Sequence, residues 1–297
     1  MIIIRVCGGL GNQLQQYALH EKLKSLGKKV KLDISEYQEM AKNGFMRDFQ
    51  LDLFDLIEYE VASKEEIENL IGKNTLYDKV KRKISGKKVR KYVEYKMYDE
   101  TIYTLDNVYI EGYFACEYYY IDIIDLLRKR LKFSVEENSR NSLTAQKMQN
   151  EIAVSLHIRR GDYLNKENRD IFGGICTNKY YESAIKYVES KFHDIHFYVF
   201  SDDIAYVQKL YGEKENYTIV DWNTAENSWL DMYLMSNCIG NICANSTFSF
   251  WGARLNPNSQ KIMIRPLKQR NNMDYFPEVL HPLWKDWILI DEKGKIV

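Results

Sequence analysis

The sequence predicts an α/β protein built from two Rossmann-like units. A strand, a glycine-rich turn and a helix open the chain, and strands alternate regularly with helices after about residue 150. The length of 297 residues also falls where single cores stop growing, at about 250–300 residues. We therefore expect two units facing a cleft, at 1–150 and 151–280, with residues 281–297 packing back on the fold.

The opening of the chain is predicted to be a β-α-β unit. Residues 2–7 form a short apolar run that is typical of a buried strand. The next segment carries leucines at i, i+4 and i+7 up to Leu26, and Gly27 then ends this predicted helix. Residues 29–34 alternate polar and apolar side chains, which predicts a second strand.

The turn between the first strand and helix, Gly8–Asn12, is rich in glycine. The small residues of this turn suit close passage of backbone beside a sugar or diphosphate, so Gly9, Gly11 and Asn12 are candidate substrate-binding residues. The third position of a dinucleotide fingerprint is occupied by Leu14 rather than glycine. A leucine there obstructs the close approach of helix and strand, so binding of a nicotinamide or flavin cofactor is not favoured.

The second half of the chain predicts a parallel, doubly wound sheet. The predicted strands are 152–159, 196–201, 217–222, 240–244 and 261–265, and the predicted helices are 180–192, 204–211, 227–237 and 247–255. Ligands of such sheets collect at the carboxyl ends of the strands. The polar residues that follow these strands are therefore the first candidates for a site.

Composition excludes several classes of protein. The chain has 42 basic and 42 acidic residues, so its overall charge does not favour a nucleic-acid partner. Its five cysteines are scattered and lack the spacing of a metal site or disulfide framework, which predicts free thiols in a reducing compartment. The chain has no apolar segment long enough for a signal peptide or a membrane span. We expect a soluble, cytoplasmic protein.

The strand 152–159 delivers His157 and Arg159 into a Gly-Asp turn. Arginine offers a planar fork of donors that stays charged at any relevant pH, which suits a phosphate group. Arg159 and His157 are therefore candidate ligand-binding residues. A surface ion pair between arginine and Asp162 is the alternative, and Arg160 is expected to brace the turn through Asp162.

Two further strand ends carry polar residues. Asp202 and Asp203 follow the strand 196–201, and we expect one carboxylate to bind substrate hydroxyl or base groups and the other to cap a helix. A metal ion held by these two neighbours alone would be under-coordinated. The second group lies where a helix follows the strand 240–244, and its members are Asn245, Ser246, Thr247 and Ser249. Hydroxyls and free N–H groups at a helix start favour an anion, although an ordinary helix cap is the alternative.

A basic run extends from Lys79 to Lys96, with nine lysines and arginines against one acid, Glu94. Such runs commonly form a solvated, charged face. The other interpretation is a patch that contacts an anionic membrane surface or a lipid-linked substrate.

Three motifs resemble those of glycosyltransferase family eleven, the α-1,2-fucosyltransferases. They are Gly8–Ala18, His157–Tyr163 and Asn245–Ala253, with Glu111–Phe114 between the first two. The resemblance extends over nearly the whole chain. The chain resembles a bacterial member of the family. It implies a GT-B fold, GDP-fucose as donor, inversion at the sugar carbon, no cofactor and no metal. It also implies a terminal galactoside as acceptor, in a lipid-linked surface glycan.

Two positions depart from the pattern of the resembled family. Gln15 stands where the family commonly has phenylalanine, and Ala115 stands where glutamine often follows the Gly-Tyr-Phe run. Both lie in the half expected to hold the acceptor, so they bear on acceptor identity more than on the donor.

The implied reaction assigns roles to three residues. Arg159 would neutralise the departing diphosphate, while Asp162 and Glu167 are the candidates for a general base. Glu167 is included because the related α-1,6-fucosyltransferases resemble this chain in having a glutamate, proposed as base, at a similar offset after the arginine motif. The alternatives are a GT-B transferase with another donor or linkage, a nucleotide-sugar-binding protein without turnover, and a metal-dependent transferase using Asp202 and Asp203.

Overall fold

The computed structural model describes residues 1–42, 48–73 and 89–297. They form two compact units, Met1–Lys132 and Phe133–Val297. The predicted boundary lies at residue 150, whereas the two units divide between residues 132 and 133. The reason is a helix at 140–149, whose buried Ala145 and Met148 pack with the core of the second unit.

The helices and strands of each unit are as follows. The first unit contains β1 (Ile2–Arg5), α1 (Leu10–Ser25), β2 (Val30–Asp33), α2 (Ser35–Lys42), α3 (Lys64–Ile71), β3 (Lys91–Val93), β4 (Val108–Glu111) and α4 (Ile124–Arg130). The second unit contains α5 (Arg140–Gln149), β5 (Ile152–Ile158), α6 (Lys166–Phe172), α7 (Asn178–Glu189), β6 (Ile195–Ser201), α8 (Ile204–Tyr211), β7 (Tyr217–Val220), α9 (Trp229–Met235), β8 (Gly240–Ile242), α10 (Thr247–Leu255), β9 (Ile262–Pro266), α11 (Pro277–Leu283) and β10 (Trp287–Ile290).

The first unit is built on a parallel sheet with the strand order β2-β1-β4-β3. Strand β1 lies inside the sheet, and Ile2, Ile3 and Ile4 are fully buried. Helix α1 connects β1 to β2 as the sequence predicts, and the left-handed backbone of Gly27 (φ 77°) follows its last turn. The predicted β-α-β opening is confirmed.

The second unit is built on a six-stranded parallel sheet with the order β10-β9-β8-β5-β6-β7. The alternation predicted after residue 150 is confirmed, with strand and helix ends shifted by a few residues. Val154 and Leu156 of β5 pack in one buried cluster with Tyr180 and Val188 of α7. Each fully buried aliphatic side chain contributes about 1.5–3 kcal/mol, so this central strand is firmly held.

The second sheet has a point where its strand order reverses, between β5 and β8. At such a point the connections leave in opposite directions and open a crevice beyond the carboxyl ends of the two strands, where ligands of open α/β sheets bind. The topology therefore predicts that the residues after Ile158 and Ile242 form the ligand site of the second unit.

The C-terminal segment belongs to the second sheet. Strand β10 pairs in parallel with β9, so it forms an edge of that sheet. Arg265 of β9 is fully buried, and its guanidinium lies 3.6 Å from the ring centre of Trp284 and 4.0 Å from that of Phe250. A desolvated cation over an aromatic face contributes about 2 kcal/mol, which ties this segment to the fold.

All five cysteines are free thiols. None of the helices in the described part of the chain has the length and apolar character needed to cross a membrane.

Candidate functional site

The carboxyl end of β5 presents His157 from a buried position. His157 is 5 % exposed, and its main-chain carbonyl accepts a hydrogen bond from the Tyr181 hydroxyl at 3.1 Å. Its Nδ1 has no hydrogen-bond partner among the described residues. Burial, and to a smaller extent the charge of Arg159, lower the pKa of His157 to about 3. The imidazole is therefore neutral at physiological pH. It can accept a hydrogen bond from a ligand or donate one to it.

This burial predicts a pH effect on stability. Unfolded histidine has a pKa near 6.5, so below that pH the unfolded chain binds a proton that the folded protein does not. The contribution of His157 to the free energy of unfolding should then fall by up to about 1.4 kcal/mol per pH unit as the pH drops from about 6 to 4. In urea titrations over this range, His157→Gln should lose stability less steeply than the wild type. Parallel losses would contradict the burial of a neutral ring.

Arg159 lies directly after β5, held between two carboxylates. Its Nη2 is 2.8 Å from Asp162 Oδ1, and its Nε is 3.0 Å from Asp202 Oδ2. Burial lowers the pKa of Arg159, but the charges of Asp202 and Asp162 outweigh this effect and raise it above the usual value. Within residues 1–42, 48–73 and 89–297 these ion pairs use Nε and Nη2, so the Nη1 donors can bind a ligand. The two aspartates set the direction of the guanidinium.

Gly161 allows Asp202 to approach the turn. The Asp202 Oδ1 accepts a hydrogen bond from the main-chain N–H of Arg160 at 2.8 Å. A Cβ on Gly161 would lie 2.5 Å from Asp202 Oδ2, so a larger residue would displace this carboxylate. The glycine therefore permits the close approach of Asp202 to the loop that follows β5.

Arg160 and Asp203 form a separate pair. Arg160 Nε lies 3.1 Å from Asp203 Oδ2, and its guanidinium stacks 3.7 Å from the ring centre of Tyr206. Asp203 also caps α8, because its Oδ1 accepts from the Tyr206 N–H. One of the two aspartates was predicted to cap this helix, and it is Asp203. The expectation that Arg160 braces the turn through Asp162 is wrong, since Asp162 binds Arg159 instead.

Asn245, after β8, joins several segments. Its amide nitrogen donates to the carbonyls of Phe172 and Gln269, both at 3.1 Å, and its main-chain carbonyl accepts from the Tyr163 hydroxyl. The Tyr163 ring stacks on Phe172 at 4.9 Å. These contacts bring the loop after β5 against the loop after β8.

The first turn of α10 lies on the other side of the reversal point. Ser246 precedes this helix, but its side chain makes no capping hydrogen bond, and both Ser246 and Thr247 are partly exposed. The buried Ser249 hydroxyl donates to the Ser246 carbonyl at 3.2 Å. The alternative of an ordinary Ser246 cap is therefore not realised, whereas Ser249 supports the turn.

Glu167, the other candidate base, lies in the first turn of α6 and is exposed. Asp162 begins a short 3₁₀ turn, Asp162–Leu164, just before this helix. The two carboxylates thus differ in their surroundings, because only Asp162 is paired with Arg159.

A partly buried carboxyl group near the carboxyl end of β7 was not predicted from the sequence. Asp231, in α9, accepts a hydrogen bond from Asn223 at 2.9 Å, and Asn223 also exchanges hydrogen bonds with Asn141. Burial raises the pKa of Asp231 to about 7, against the opposing effect of the Asn223 hydrogen bond. A strongly perturbed acid at this sheet edge is a candidate functional residue. Its signal in the sequence is a lone acid inside the apolar run 229–235.

The glycine-rich turn lies in the first unit, after β1. Gly8 adopts a left-handed conformation (φ 83°), and its carbonyl accepts hydrogen bonds from the Gln13 amide at 3.1 Å and the Tyr37 hydroxyl at 2.7 Å. Gly9 precedes α1, while Gly11 and Asn12 lie in its first turn. The candidate residues of the second unit thus lie at the carboxyl ends of its strands. Gly9, Gly11 and Asn12 lie in the first unit.

Gln15, one of the departures from the resembled family, is fully buried in α1. Neither of its amide atoms has a hydrogen-bond partner among the described residues. Gln15→Met should raise the free energy of unfolding by about 1–2 kcal/mol, because it removes an uncompensated desolvation cost at similar volume. Gln16→Met should lower it by about 1–3 kcal/mol, since Gln16 binds the Cys7 N–H and the Gly112 carbonyl. Urea denaturation measures both, and destabilisation by both variants would contradict the contrast.

The chain matches the family described as glycosyl transferase family 11 over residues 1–288. Two curated relatives come from Escherichia coli. The O-antigen biosynthesis glycosyltransferase WbnK is 34 % identical, with 88 % of this chain and 92 % of the relative covered. An alpha-1,2-colitosyltransferase is 30 % identical, with 94 % and 97 % covered.

Solved structures are more distantly similar. The fucosyltransferase NodZ from Bradyrhizobium is 14 % identical, with 86 % of this chain and 93 % of that chain covered and a TM-score of 0.49. The E. coli ADP-heptose heptosyltransferase II is 11 % identical, with 97 % and 89 % covered and a TM-score of 0.44. The match over residues 1–288 and the two curated relatives confirm the resemblance that the motifs indicated: the chain belongs to glycosyl transferase family 11 and is a glycosyltransferase.

Proposed function

We propose that this glycosyltransferase moves L-fucose from GDP-fucose to the 2-hydroxyl of a terminal galactoside, with inversion at the sugar carbon. The observation that carries the proposal is the position of Arg159, which two carboxylates orient at the reversal point of a parallel sheet. A cation held there suits the diphosphate of a nucleotide sugar.

The reaction requires stabilisation of the departing GDP. As the bond between fucose and phosphate breaks, negative charge grows on the diphosphate oxygens. A pre-oriented donor aimed at that charge contributes about 10²–10³-fold in rate, and Arg159 is assigned this role. Neutral His157 and the hydroxyls of Ser246 and Thr247 are assigned as further hydrogen-bonding groups for the donor substrate.

Inversion requires the acceptor hydroxyl to attack from the face opposite the leaving diphosphate. The hydroxyl proton then passes to a base. Asp162 is occupied with Arg159, so Glu167, which is exposed in the first turn of α6, is the better candidate of the two. In this assignment Asp162 orients the arginine.

A second donor is favoured by one relative. A protein 30 % identical over 294 residues is named an alpha-1,2-colitosyltransferase. Colitose is fucose without its 3-hydroxyl, so the two donors differ by one hydrogen-bonding group. A site built to bind that hydroxyl rejects the deoxy sugar strongly, whereas an apolar site discriminates weakly.

A donor and acceptor screen tests the proposal. GDP-fucose, GDP-colitose, GDP-mannose and UDP-galactose are incubated with a panel of galactosides, and the linkage of the product is determined. We expect an α-1,2-linked fucoside and release of GDP that depends on acceptor. Preference for colitose, or another linkage, would identify the related transferase. Binding of GDP-fucose without turnover on any acceptor would indicate a non-catalytic binding protein.

Activity is expected to survive chelation, since Arg159 supplies the positive charge that a divalent ion supplies in metal-dependent transferases. EDTA at about 10 mM is in large excess over trace metal. Turnover in its presence should match turnover in its absence. Loss of turnover that Mg²⁺ or Mn²⁺ restores would instead support metal binding by Asp202 and Asp203.

The acceptor is proposed to be part of a lipid-linked surface glycan, which the O-antigen context of the relative WbnK supports. Peripheral membrane contact through Lys79–Lys96 is part of this proposal, although residues 79–88 lie outside the described residues. Flotation with anionic vesicles, with and without charge reversal in this run, measures that contact.

A further inference from the structure

The carboxyl ends of β1 and β4 lie side by side, because these two strands are parallel neighbours in the first sheet. The glycine-rich turn follows β1, and Gly112 and Tyr113 follow β4. Ligands of open parallel sheets bind beyond the carboxyl ends of the strands. The roles assigned to the second unit make no use of these two loops.

Gln16 of α1 joins these two loops. Its amide oxygen accepts from the Cys7 N–H at 3.0 Å, and its amide nitrogen donates to the Gly112 carbonyl at 2.9 Å. The loop after β4 is thereby held beside the glycine-rich turn. A ligand at this edge would meet both loops.

Glu94 fixes the backbone around Tyr113. Its carboxylate accepts hydrogen bonds from the N–H groups of Tyr113 at 2.8 Å and Phe114 at 3.1 Å. Gly112 lies so close that a Cβ there would be 2.5 Å from the Glu94 Cβ. Charge-assisted hydrogen bonds of this kind are roughly twice as strong as neutral ones, so the loop is rigid.

Phe114 turns the chain in a way that presents Tyr113. Its backbone is left-handed (φ 51°), which is uncommon for a bulky residue, and its ring is fully buried at 5.6 Å from Tyr119. Tyr113 is 47 % exposed. Strain of this type persists where the surroundings enforce it, and it clusters at ligand-binding sites.

Charged groups of both signs lie beside this loop. Arg5, after the last buried residue of β1, pairs with Glu36 at 2.6 Å and with Glu111 at 3.7 Å, and Glu111 also pairs with Lys91 at 2.7 Å. The Arg5 side chain is half-exposed. These paired groups offer hydrogen-bond donors and acceptors to a ligand rich in hydroxyl groups.

We propose that Tyr113 is the platform on which the galactose ring of the acceptor stacks, with Arg5, Glu36 and Glu111 facing its hydroxyl groups. The inference rests on the proposed function, of which it specifies the acceptor side. One face of a galactose ring presents C–H groups while its rim carries hydroxyls. A half-exposed tyrosine on a rigid loop, next to convergent polar groups, matches both features.

Kinetics with lactose as acceptor and GDP-fucose as donor test the platform. Tyr113→Ala should raise the KM for lactose about tenfold, with the KM for GDP-fucose and kcat changed less than about twofold. Tyr113→Phe should retain wild-type values because it keeps the ring. Leu26→Ala is the matched control, since Leu26 is equally exposed at 47 % but follows α1 at the opposite edge of the sheet.

A direct binding measurement separates this inference from the proposed function. Saturation-transfer NMR with lactose and GDP reports acceptor contact whether or not fucose is transferred. Loss of the lactose signal in Tyr113→Ala, with retention in Leu26→Ala, supports the platform even if the donor proves to be another sugar. An unchanged signal or unchanged KM for lactose in Tyr113→Ala overturns it, as does the absence of lactose binding by the wild type.

Discussion

Arg159→Ala is expected to lower kcat by about 10²–10³-fold, the largest effect of any single substitution in the second unit. The guanidinium is oriented by Asp162 and Asp202 before substrate binds, so its charge is already in position when the diphosphate departs. The variant should keep its fold, because Arg159 is partly exposed and lies outside the buried cluster of β5. Initial rates at saturating GDP-fucose and acceptor measure the loss.

Two controls sharpen this experiment. Arg159→Lys retains the charge but not the fork that engages both carboxylates, so it should recover only a small part of the activity. Arg160→Ala removes the neighbouring guanidinium, which is bound to Asp203 and Tyr206, and should lower kcat less than about tenfold. Equal losses in Arg159→Ala and Arg160→Ala would show that both arginines act through the shape of the loop. Near-normal turnover of Arg159→Ala would refute its catalytic assignment.

Asp202→Asn is expected to lower kcat about 10–100-fold. One oxygen of Asp202 accepts from the Arg160 N–H at 2.8 Å and the other lies 3.0 Å from Arg159 Nε. The amide oxygen of an asparagine can accept only one of these hydrogen bonds. Its NH2 group, itself a donor, then faces the other donor. Misplacing a charged group by even about 1 Å can cost about 10²-fold.

The adjacent aspartate provides the matched control for this substitution. Asp203→Asn keeps a good helix cap, so we expect at most a few-fold change in kcat and a small change in thermal stability. The GDP affinity of each variant, measured by titration calorimetry, tells orientation from binding. If Asp203→Asn is impaired as strongly as Asp202→Asn, the distinction between the two carboxylates is wrong.

Much of the fold could be predicted from local patterns. The strands and helices of the second unit follow from runs of apolar residues of the right length, as in β5 and β6, and the predicted ends differ from the observed ones by a few residues. The position of the unit boundary could not be predicted, because α5 has the same local pattern whichever core it joins. The packing of Ala145 and Met148 with the second core and the stacking of Phe133 on Trp229 decide it.

The candidate site was predictable in its residues but not in its pairing. Arg159, Asp162 and Asp202 are adjacent to predicted strand ends, and parallel strands place such ends at one edge. Which arginine binds which aspartate depends on distances of an ångström, and the predicted partner of Asp162, Arg160, binds Asp203 instead. Asp231 was not predicted for a related reason, since its raised pKa comes from burial, which depends on the tertiary structure.

The sequence by itself determined the class of fold, the family and the residue types available for chemistry, because strand and helix periods and motif spacing are local properties of the chain. Tertiary structure alone decided the orientation of Arg159, the neutral state of His157 and the presentation of Tyr113 by Glu94. These depend on desolvation and on contacts between segments far apart in sequence. Such energies vary steeply with distance, and a linear pattern carries no distances.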